Sequence, residues 1–202
     1  MKSEKILRIG AEAKIARTKW HGIDAVRKVR LRKGYRNKVL DSELTKSRIK
    51  REAALLHKAK LLGLNTAVVL DVDVNSGELI LEYVAGKKAK ECIEKNTRLC
   101  KKIAEAIAKL HNSGVIHGDL TLDNMIIREK KPVFIDFSLG FYSDKLEDKA
   151  TDLLNLKKSL LALRPDLKKE WQSIEATYAK KARKGREIIA NMHAIESRAR
   201  YI

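Results

Sequence analysis

The amino-acid sequence predicts an α+β fold, with a small sheet and one long helix in the N-terminal part and a reduced, mostly helical C-terminal part. Apolar and polar residues alternate over residues 6–29 and 67–84, which is typical of half-buried strands. Apolar residues recur at helical spacing over residues 41–62 and 97–112. The order of these segments therefore predicts strands, a helix, a hairpin and then further helices.

The first residues predict three strands joined by short turns. Ile9 lies in the first strand, Ile15 in the second and Val29 in the third. The first turn is formed by Gly10, Ala11, Glu12 and Ala13. In kinases a glycine-rich loop at this place covers the nucleotide phosphates, so these four residues are candidate ATP contacts. With a single glycine this is a weak signal, and an ordinary hairpin turn explains the segment better when it is taken without the rest of the chain.

Lys28 and Glu52 form a candidate ion pair. Lys28 lies near the end of the third strand, and Glu52 lies in the helix predicted over residues 41–62, which Gly63 ends. A helix packed on the sheet would aim Glu52 at Lys28, as in kinases, where this pair holds the lysine on the nucleotide phosphates. The alternative is that both side chains are solvated in a strongly basic region.

The net charge is +18, from 44 Lys and Arg against 26 Asp and Glu. Half of this excess lies between Arg27 and Arg51, where Lys33 and Arg36 are candidate contacts to an anionic partner. Nucleic acid fits such a block, an acidic protein surface fits it equally, and a solvated face is the alternative. The two cysteines, Cys92 and Cys100, have no metal-site or redox-motif spacing and predict free thiols.

Residues 67–84 predict a hairpin whose turn is Asn75-Ser76-Gly77. The end of its second strand resembles a kinase hinge, in which backbone groups of Glu82 and Val84 would bind adenine. A plain edge strand is an almost equal alternative. The helix predicted over residues 97–112 follows and ends at Ser113-Gly114.

Residues 115–137 carry the chemistry. His117, Asp119 and Asn124 have the order and spacing of a protein-kinase catalytic loop, and Asp136-Phe137 stands where a metal-binding Asp-Phe pair is expected. Phosphoryl transfer needs a carboxylate near the attacking oxygen, together with a carboxamide and a second carboxylate for magnesium. Two predicted strands, at residues 125–128 and 133–136, would bring Asn124 and Asp136 together. A chance match explains this pattern poorly. A kinase that has kept the motif but lost its activity is a stronger alternative than chance.

The remaining segments depart from a signalling kinase. Ser138 follows Phe137 where glycine is usual, and no Ala-Pro-Glu motif follows, so a peptide-docking platform is largely missing. Asp152, near the start of another predicted helix, would support the catalytic loop through backbone amides, although a helix-start carboxylate is an alternative. Two more helices are predicted after Pro165. The whole order predicts a minimal bilobal protein-kinase-like fold, with an N-lobe at residues 1–84 and a C-lobe at residues 85–202.

Taken together, the motifs resemble the minimal atypical kinase family of the KEOPS (EKC) complex, the PRPK type, which is related to the RIO kinases. The residues that carry this resemblance are Gly10-Ala11-Glu12-Ala13, Lys33-Gly34-Tyr35-Arg36, Arg51-Glu52-Ala53, His117-Gly118-Asp119-Leu120-Thr121 with Asn124, Ile135-Asp136-Phe137, and Glu147-Asp148-Lys149-Ala150 with Asp152. The departures are Ser138 and a C-terminal tail with only Arg198 and Arg200 as basic residues.

The resemblance implies binding of ATP with Mg²⁺, or with Mn²⁺ in its place. It implies self-phosphorylation on serine or threonine in isolation, and mainly ATPase activity beside the subunit that makes threonylcarbamoyladenosine in tRNA. The expected partners are that subunit, other KEOPS subunits and tRNA, with Arg198 and Arg200 as further candidate contacts. The resemblance makes Asp119 the catalytic base, and Asn124 and Asp136 the magnesium ligands. Lys28 is then the phosphate-binding lysine and Glu52 its partner. His117 and Asp152 are expected to support the loop structurally.

Two other classes stay open. A small-molecule phosphotransferase of the aminoglycoside-kinase type shares the His-x-Asp loop but usually has a larger substrate lobe. A non-catalytic RNA-binding scaffold explains the charge but not the polar constellation. No apolar run approaches the length that spans a membrane, so we expect a cytoplasmic protein that makes no membrane contact.

Overall fold

The structure is a computed structural model, and it describes residues 4–32, 34 and 37–198. It confirms the predicted α+β class, with an antiparallel sheet in the N-terminal part and helices in the C-terminal part. The chain divides into two compact units. The first comprises Met1–Lys58 and Ala67–Val84, and the second comprises Ala59–Thr66 and Ala85–Ile202.

The first unit contains a five-stranded antiparallel sheet with the order β1-β2-β3-β5-β4. Its strands are β1 Lys5–Ile9, β2 Ala13–Trp20, β3 Ile23–Arg30, β4 Val69–Asp73 and β5 Glu78–Glu82. Helix α1, Lys38–Leu61, begins three residues earlier than the sequence predicts. Ile49, Leu55 and Leu56 of α1 are buried, and so is Glu52, a carboxylate among the apolar residues. Burying a carboxylate costs free energy unless cations pair with it. The burial of Glu52 therefore implies that it has cationic partners.

The second unit is mostly helical. Its helices are α2 Thr97–Asn112, α3 Leu146–Leu163, α4 Lys168–Lys181 and α5 Gly185–Arg198. Helix α2 packs against α4, and α3 packs against α5. Helix α2 begins with Asn96 as its N-cap, whose side chain accepts a hydrogen bond from Leu99 N at 3.0 Å. Its buried face is apolar except for His111.

Two small sheets complete the second unit. Strands β6 Lys87–Lys88, β8 Met125–Arg128 and β9 Lys131–Phe134 form one, and β7 Val115–Ile116 and β10 Phe141–Tyr142 form the other. Short 3₁₀ helices lie at Ala89–Glu91 and Leu122–Asn124. Strand β9 ends before Asp136, which the sequence analysis had placed in the strand. Among the helices of the described residues, none has the length and apolarity needed to cross a membrane.

Candidate active site

The loop between β7 and β8 brings Asp119 and Asn124 into direct contact. The Asn124 Nδ2 group donates to the Asp119 backbone carbonyl and to its carboxylate Oδ2, each at 2.8 Å. The 3₁₀ turn Leu122–Asn124 returns the chain to Asp119 and buries Asn124, which is 6% exposed. Because Nδ2 is committed to Asp119, the other end of the carboxamide, Oδ1, is the atom that would contact a cation.

Asp152 of α3 holds the backbone of this loop. Its carboxylate accepts hydrogen bonds from His117 N at 2.6 Å and from Gly118 N at 2.9 Å. Asp152 is 1% exposed, and charge-assisted bonds of this kind are roughly twice as strong as neutral ones. The Asp152 carboxylate therefore binds two backbone N–H groups of the loop, as a residue that supports the loop would have to do.

Two residues that the sequence analysis missed extend this support. His111 of α2 lies with Nε2 3.3 Å from Asp152 Oδ2 and Nδ1 2.8 Å from the Tyr178 hydroxyl of α4. Burial raises the pKa of the Tyr178 phenol, so its hydroxyl stays protonated and can donate to Nδ1. Nε2–H then donates to Asp152. The sequence contained one signal for this network, because His111 stands four positions after Ile107 and so on the apolar face of α2.

Gly118 is required by its surroundings. Its φ is +78°, and a Cβ atom built there would lie 2.1 Å from the Leu139 carbonyl oxygen. Residues other than glycine rarely adopt this φ, and a Cβ atom cannot lie so close to a carbonyl oxygen. The loop can therefore follow this path only with glycine between His117 and Asp119.

His117 connects the loop to the segment that carries Asp136. Its Nε2 donates to the Ile135 carbonyl at 3.2 Å, and its ring lies 4.5 Å from the Phe137 ring. Burial lowers the pKa of the His117 imidazole, outweighing the opposite effect of the Asp152 and Asp136 carboxylates. A neutral imidazole that carries its proton on Nε2 can donate the hydrogen bond to the Ile135 carbonyl. Nδ1 is buried and has no hydrogen-bond partner among the described residues.

Asp136 adopts a backbone conformation that is uncommon for a residue other than glycine, with φ of 62°. The preceding residue, Ile135, donates its N–H to the Asn124 carbonyl at 3.0 Å, so the two proposed magnesium ligands lie on bonded segments. Ser138 N donates to Asp136 Oδ1 at 3.3 Å. Ser138 is not among the residues of positive φ, so the conformation of this segment does not call for glycine at position 138.

The residues at this place fit magnesium. Across residues 4–32, 34 and 37–198 no group of three or more His, Cys, Asp or Glu side chains could hold a metal by itself. Magnesium is usually bound through one or two carboxylates together with substrate phosphates, and retains water. One carboxamide and one carboxylate, Asn124 and Asp136, are therefore a donor set suited to a magnesium ion that arrives with a nucleotide.

In the first unit, Lys28 and Glu52 lie in contact. Lys28 Nζ donates to Glu52 Oε1 at 2.6 Å, and the side chains are 6% and 1% exposed. A second cation, Arg30, donates from Nη2 to Glu52 Oε2 at 3.2 Å. The sequence analysis had not singled out Arg30, although it stands two residues after Lys28 and so on the same face of β3.

The candidate nucleotide contacts of this unit lie at its turns and strand ends. Gly10 N donates to Ala13 O at 3.0 Å, closing the β1–β2 turn, and an added Cβ at Gly10 would meet only ordinary contacts. Glycine is therefore not sterically required there. The Glu82 N–H donates to Val68 O at 2.8 Å, so an adenine contact of Glu82 would use its carbonyl. Val84 is buried.

The candidate partner contacts are only partly described. Lys33, Arg36 and Arg200 lie outside the described residues. Arg198 is exposed at the end of α5, and its Nε donates to the Ala194 carbonyl at 3.3 Å.

Comparison with known proteins identifies the relatives of this chain. The RIO-domain family model matches residues 12–156. A probable bifunctional tRNA threonylcarbamoyladenosine biosynthesis protein of Methanothermobacter thermautotrophicus is 44% identical over 197 residues, which are 97% of this chain and 36% of that protein. This chain thus spans little more than a third of that relative. The KEOPS complex subunit Bud32 of Pyrococcus abyssi is 35% identical over 211 residues, covering 98% of this chain and 96% of that subunit.

Solved structures agree on the fold. The Rio2 kinase–ADP/Mg²⁺–phosphoaspartate complex from Chaetomium thermophilum matches 96% of this chain and 65% of its own, with a TM-score of 0.64 and 14% identity. WaaP in complex with acyl carrier protein matches 98% of this chain and 88% of its own, with a TM-score of 0.64 and 18% identity. At these identities the likeness establishes a kinase-like fold.

Proposed function

The chain belongs to the RIO-domain family and to its KEOPS-subunit branch, and on that premise we propose that it is an atypical serine/threonine kinase that uses ATP and Mg²⁺ and acts mainly as an ATPase. The family supports kinase-like phosphoryl transfer in general. The single observation that carries the proposal is the Asn124 amide, which donates to Asp119 while its oxygen remains for a cation. This contact supports the proposal because a base and a metal ligand of phosphoryl transfer would then stand on one short loop.

Each polar residue of the second unit has a role in the proposed reaction. Asp119 accepts the proton of the attacking oxygen, and Asn124 and Asp136 hold Mg²⁺. The metal, when bound, supplies positive charge to the phosphate oxygens; Mn²⁺ is a possible substitute. His117 and Asp152 keep the loop in place, through the Ile135 carbonyl and through the backbone amides of the loop.

In the first unit, Lys28 contacts the phosphates of ATP, and Glu52 positions its ammonium group. The turn from Gly10 to Ala13 lies against the phosphates, and backbone groups of Glu82 and Val84 bind adenine. The burial of the Lys28–Glu52 pair supports this assignment, because a buried lysine and glutamate are rarely tolerated unless paired.

The nucleophile is water or one of the protein's own hydroxyl groups. No Ala-Pro-Glu motif follows Asp136, so a platform for a substrate peptide is largely missing from the sequence. Water attack on the γ-phosphorus would break its bond to the bridging oxygen and release ADP, with the proton passing to Asp119. A protein docked nearby would then decide which nucleophile is used.

We further propose that the protein works in the cytoplasm within the KEOPS complex, beside the subunit that makes threonylcarbamoyladenosine in tRNA. The names of the relatives support this partner set, and the net charge of +18 suits a tRNA complex. Lys33, Arg36, Arg198 and Arg200 are the proposed contacts to tRNA or to a neighbouring subunit.

The test is magnesium-dependent ATP turnover by the parent and by Asp119→Asn, each alone and with the partner subunit and tRNA. The substitution should lower turnover by about 10²- to 10⁴-fold, the usual contribution of a general base, and leave ATP binding nearly unchanged. Asp123→Asn is the matched control, since the Asp123 side chain is 43% exposed and pairs with Lys88 and Lys90. Parental turnover in Asp119→Asn would exclude the base role. No magnesium-dependent turnover by the parent, either alone or with its partners, would favour an RNA-binding scaffold instead.

A further inference from the structure

The Glu52 carboxylate is held by two cations. Lys28 Nζ lies 2.6 Å from Oε1, and Arg30 Nη2 lies 3.2 Å from Oε2. The Arg30 side chain is 5% exposed, as deeply buried as Lys28 at 6%. Lys28 and Arg30 therefore bind different oxygens of one buried carboxylate.

The guanidinium of Arg30 is held at a cost. Its Nε atom is buried and has no hydrogen-bond partner among the described residues. A buried donor without an acceptor is destabilising, so the Arg30 guanidinium is not placed there by its own hydrogen bonding alone. Here the unpaired Nε accompanies a hydrogen bond from Nη2 to Glu52.

A second carboxylate lies at the other end of the guanidinium. Arg30 Nη1 is 3.9 Å from Glu12 Oε2, too far for a hydrogen bond, while Arg48 of α1 donates to the same oxygen at 2.9 Å. The backbone of Glu12 is fixed beside Arg30, since Leu31 N donates to Glu12 O at 3.1 Å. Arg30 therefore lies between the β1–β2 turn and the Lys28–Glu52 pair, and its hydrogen bond goes to Glu52.

We propose that Arg30 is a positioning residue, which keeps the Glu52 carboxylate aimed at Lys28 and so keeps the Lys28 ammonium group in place for the phosphates of ATP. The inference rests on the proposed role of Lys28 in ATP binding. Without Arg30, Oε2 of a buried carboxylate loses a donor, and the Glu52 side chain is no longer held at both oxygens. The Lys28 ammonium then loses its fixed orientation, although Arg30 itself need not touch the nucleotide.

The experiment measures the affinity for a non-hydrolysable ATP analogue with Mg²⁺ by calorimetry, and KM and kcat for ATP, in Arg30→Gln, Arg30→Lys and Arg27→Gln. Arg27 is the matched control, because it lies on β3 and is paired with Glu78 at 2.6 Å, but its side chain is 40% exposed. Arg30→Gln should weaken analogue binding about tenfold, the value of one hydrogen bond to a charged group. KM should rise while kcat at saturating ATP changes little, and Arg30→Lys should recover part of the affinity.

A merely structural role would instead reduce the active fraction, which lowers kcat and leaves KM unchanged. The effect of Arg30→Gln should also disappear in a Glu52→Gln background; an equal loss there, or parental affinity in Arg30→Gln, would overturn the proposal. If Arg30→Gln does not fold, as judged by thermal unfolding, Arg30→Lys decides, since its affinity should lie measurably below that of the parent and parental affinity would overturn the proposal. Lys28→Ala distinguishes a failure of the proposed function from a failure of the role of Arg30. If Lys28→Ala leaves analogue binding unchanged, the proposed role of Lys28 in ATP binding is wrong.

Discussion

Replacing Asp152 by asparagine tests whether one buried carboxylate holds the loop that contains Asp119 and Asn124. The carboxylate accepts from Gly118 N on Oδ1 and from His117 N on Oδ2, and His111 Nε2 lies 3.3 Å from Oδ2. An amide keeps only one oxygen. The less damaging orientation leaves that oxygen at the Oδ2 position and places the amide NH₂ against the Gly118 N–H, donor against donor.

The expected cost follows from this geometry. One hydrogen bond to a charged group is lost, and the other two weaken because the acceptor is neutral, so the free energy of unfolding should fall by about 2–3 kcal/mol. Urea unfolding followed by circular dichroism measures this difference. ATP turnover should fall further than the stability loss explains, because the backbone on either side of Gly118 is then free to move away from Asp119.

Asp166→Asn provides the control for the same chemical change. Asp166 is 62% exposed and pairs with Arg164 at 2.6 Å, and exposed pairs contribute about 0–1 kcal/mol. If Asp152→Asn unfolded like Asp166→Asn and kept parental turnover, the conclusion that Asp152 fixes the loop would be wrong.

Two other substitutions test the conformation of the loop and the protonation state within it. Gly118→Ala combines a strained φ with a clash against the Leu139 carbonyl, whereas Gly22 has a similar φ of 86° and open space around it. In thermal unfolding Gly118→Ala should therefore be clearly less stable than Gly22→Ala, and equal losses would show that strain alone matters. His117→Asn tests protonation, because burial lowers the pKa of His117 from an ordinary value of 6.5. The unfolded chain then binds a proton that the folded chain does not, so the parent should lose stability as the pH falls from about 7 to 5. The variant should show a shallower loss in urea unfolding over that range, and identical pH profiles would contradict a neutral His117 in the folded state.

Local pattern was sufficient to predict most of the elements. Helix α2 has the predicted bounds, because its apolar stripe ends at Ser113-Gly114 and both signals are local. Helix α1 begins at Lys38 rather than Asp41, and the Val39 and Leu40 side chains of its first turn are exposed, so this turn lies outside the buried stripe from which the helix was predicted. Strand β9 spans Lys131–Phe134, two residues before the predicted segment, because Ile135 leaves the ladder to bond Asn124. The pattern of apolar residues cannot predict the hydrogen bond between Ile135 and Asn124.

The amino-acid sequence alone was enough to predict the α+β class, the segments that become helices and strands, and the residues proposed for phosphoryl transfer, because each depends on spacing along a short stretch. Asp152 was predicted as a support of the loop, but Arg30, His111 and Tyr178 were found only in the folded protein. Arg30 contacts Glu52 across 22 positions of the chain, and Tyr178 contacts His111 across 67. Separations of this size have no period that a sequence pattern could reveal. They arise because burial brings polar groups together, and a buried charge is stable only where the fold supplies its partners.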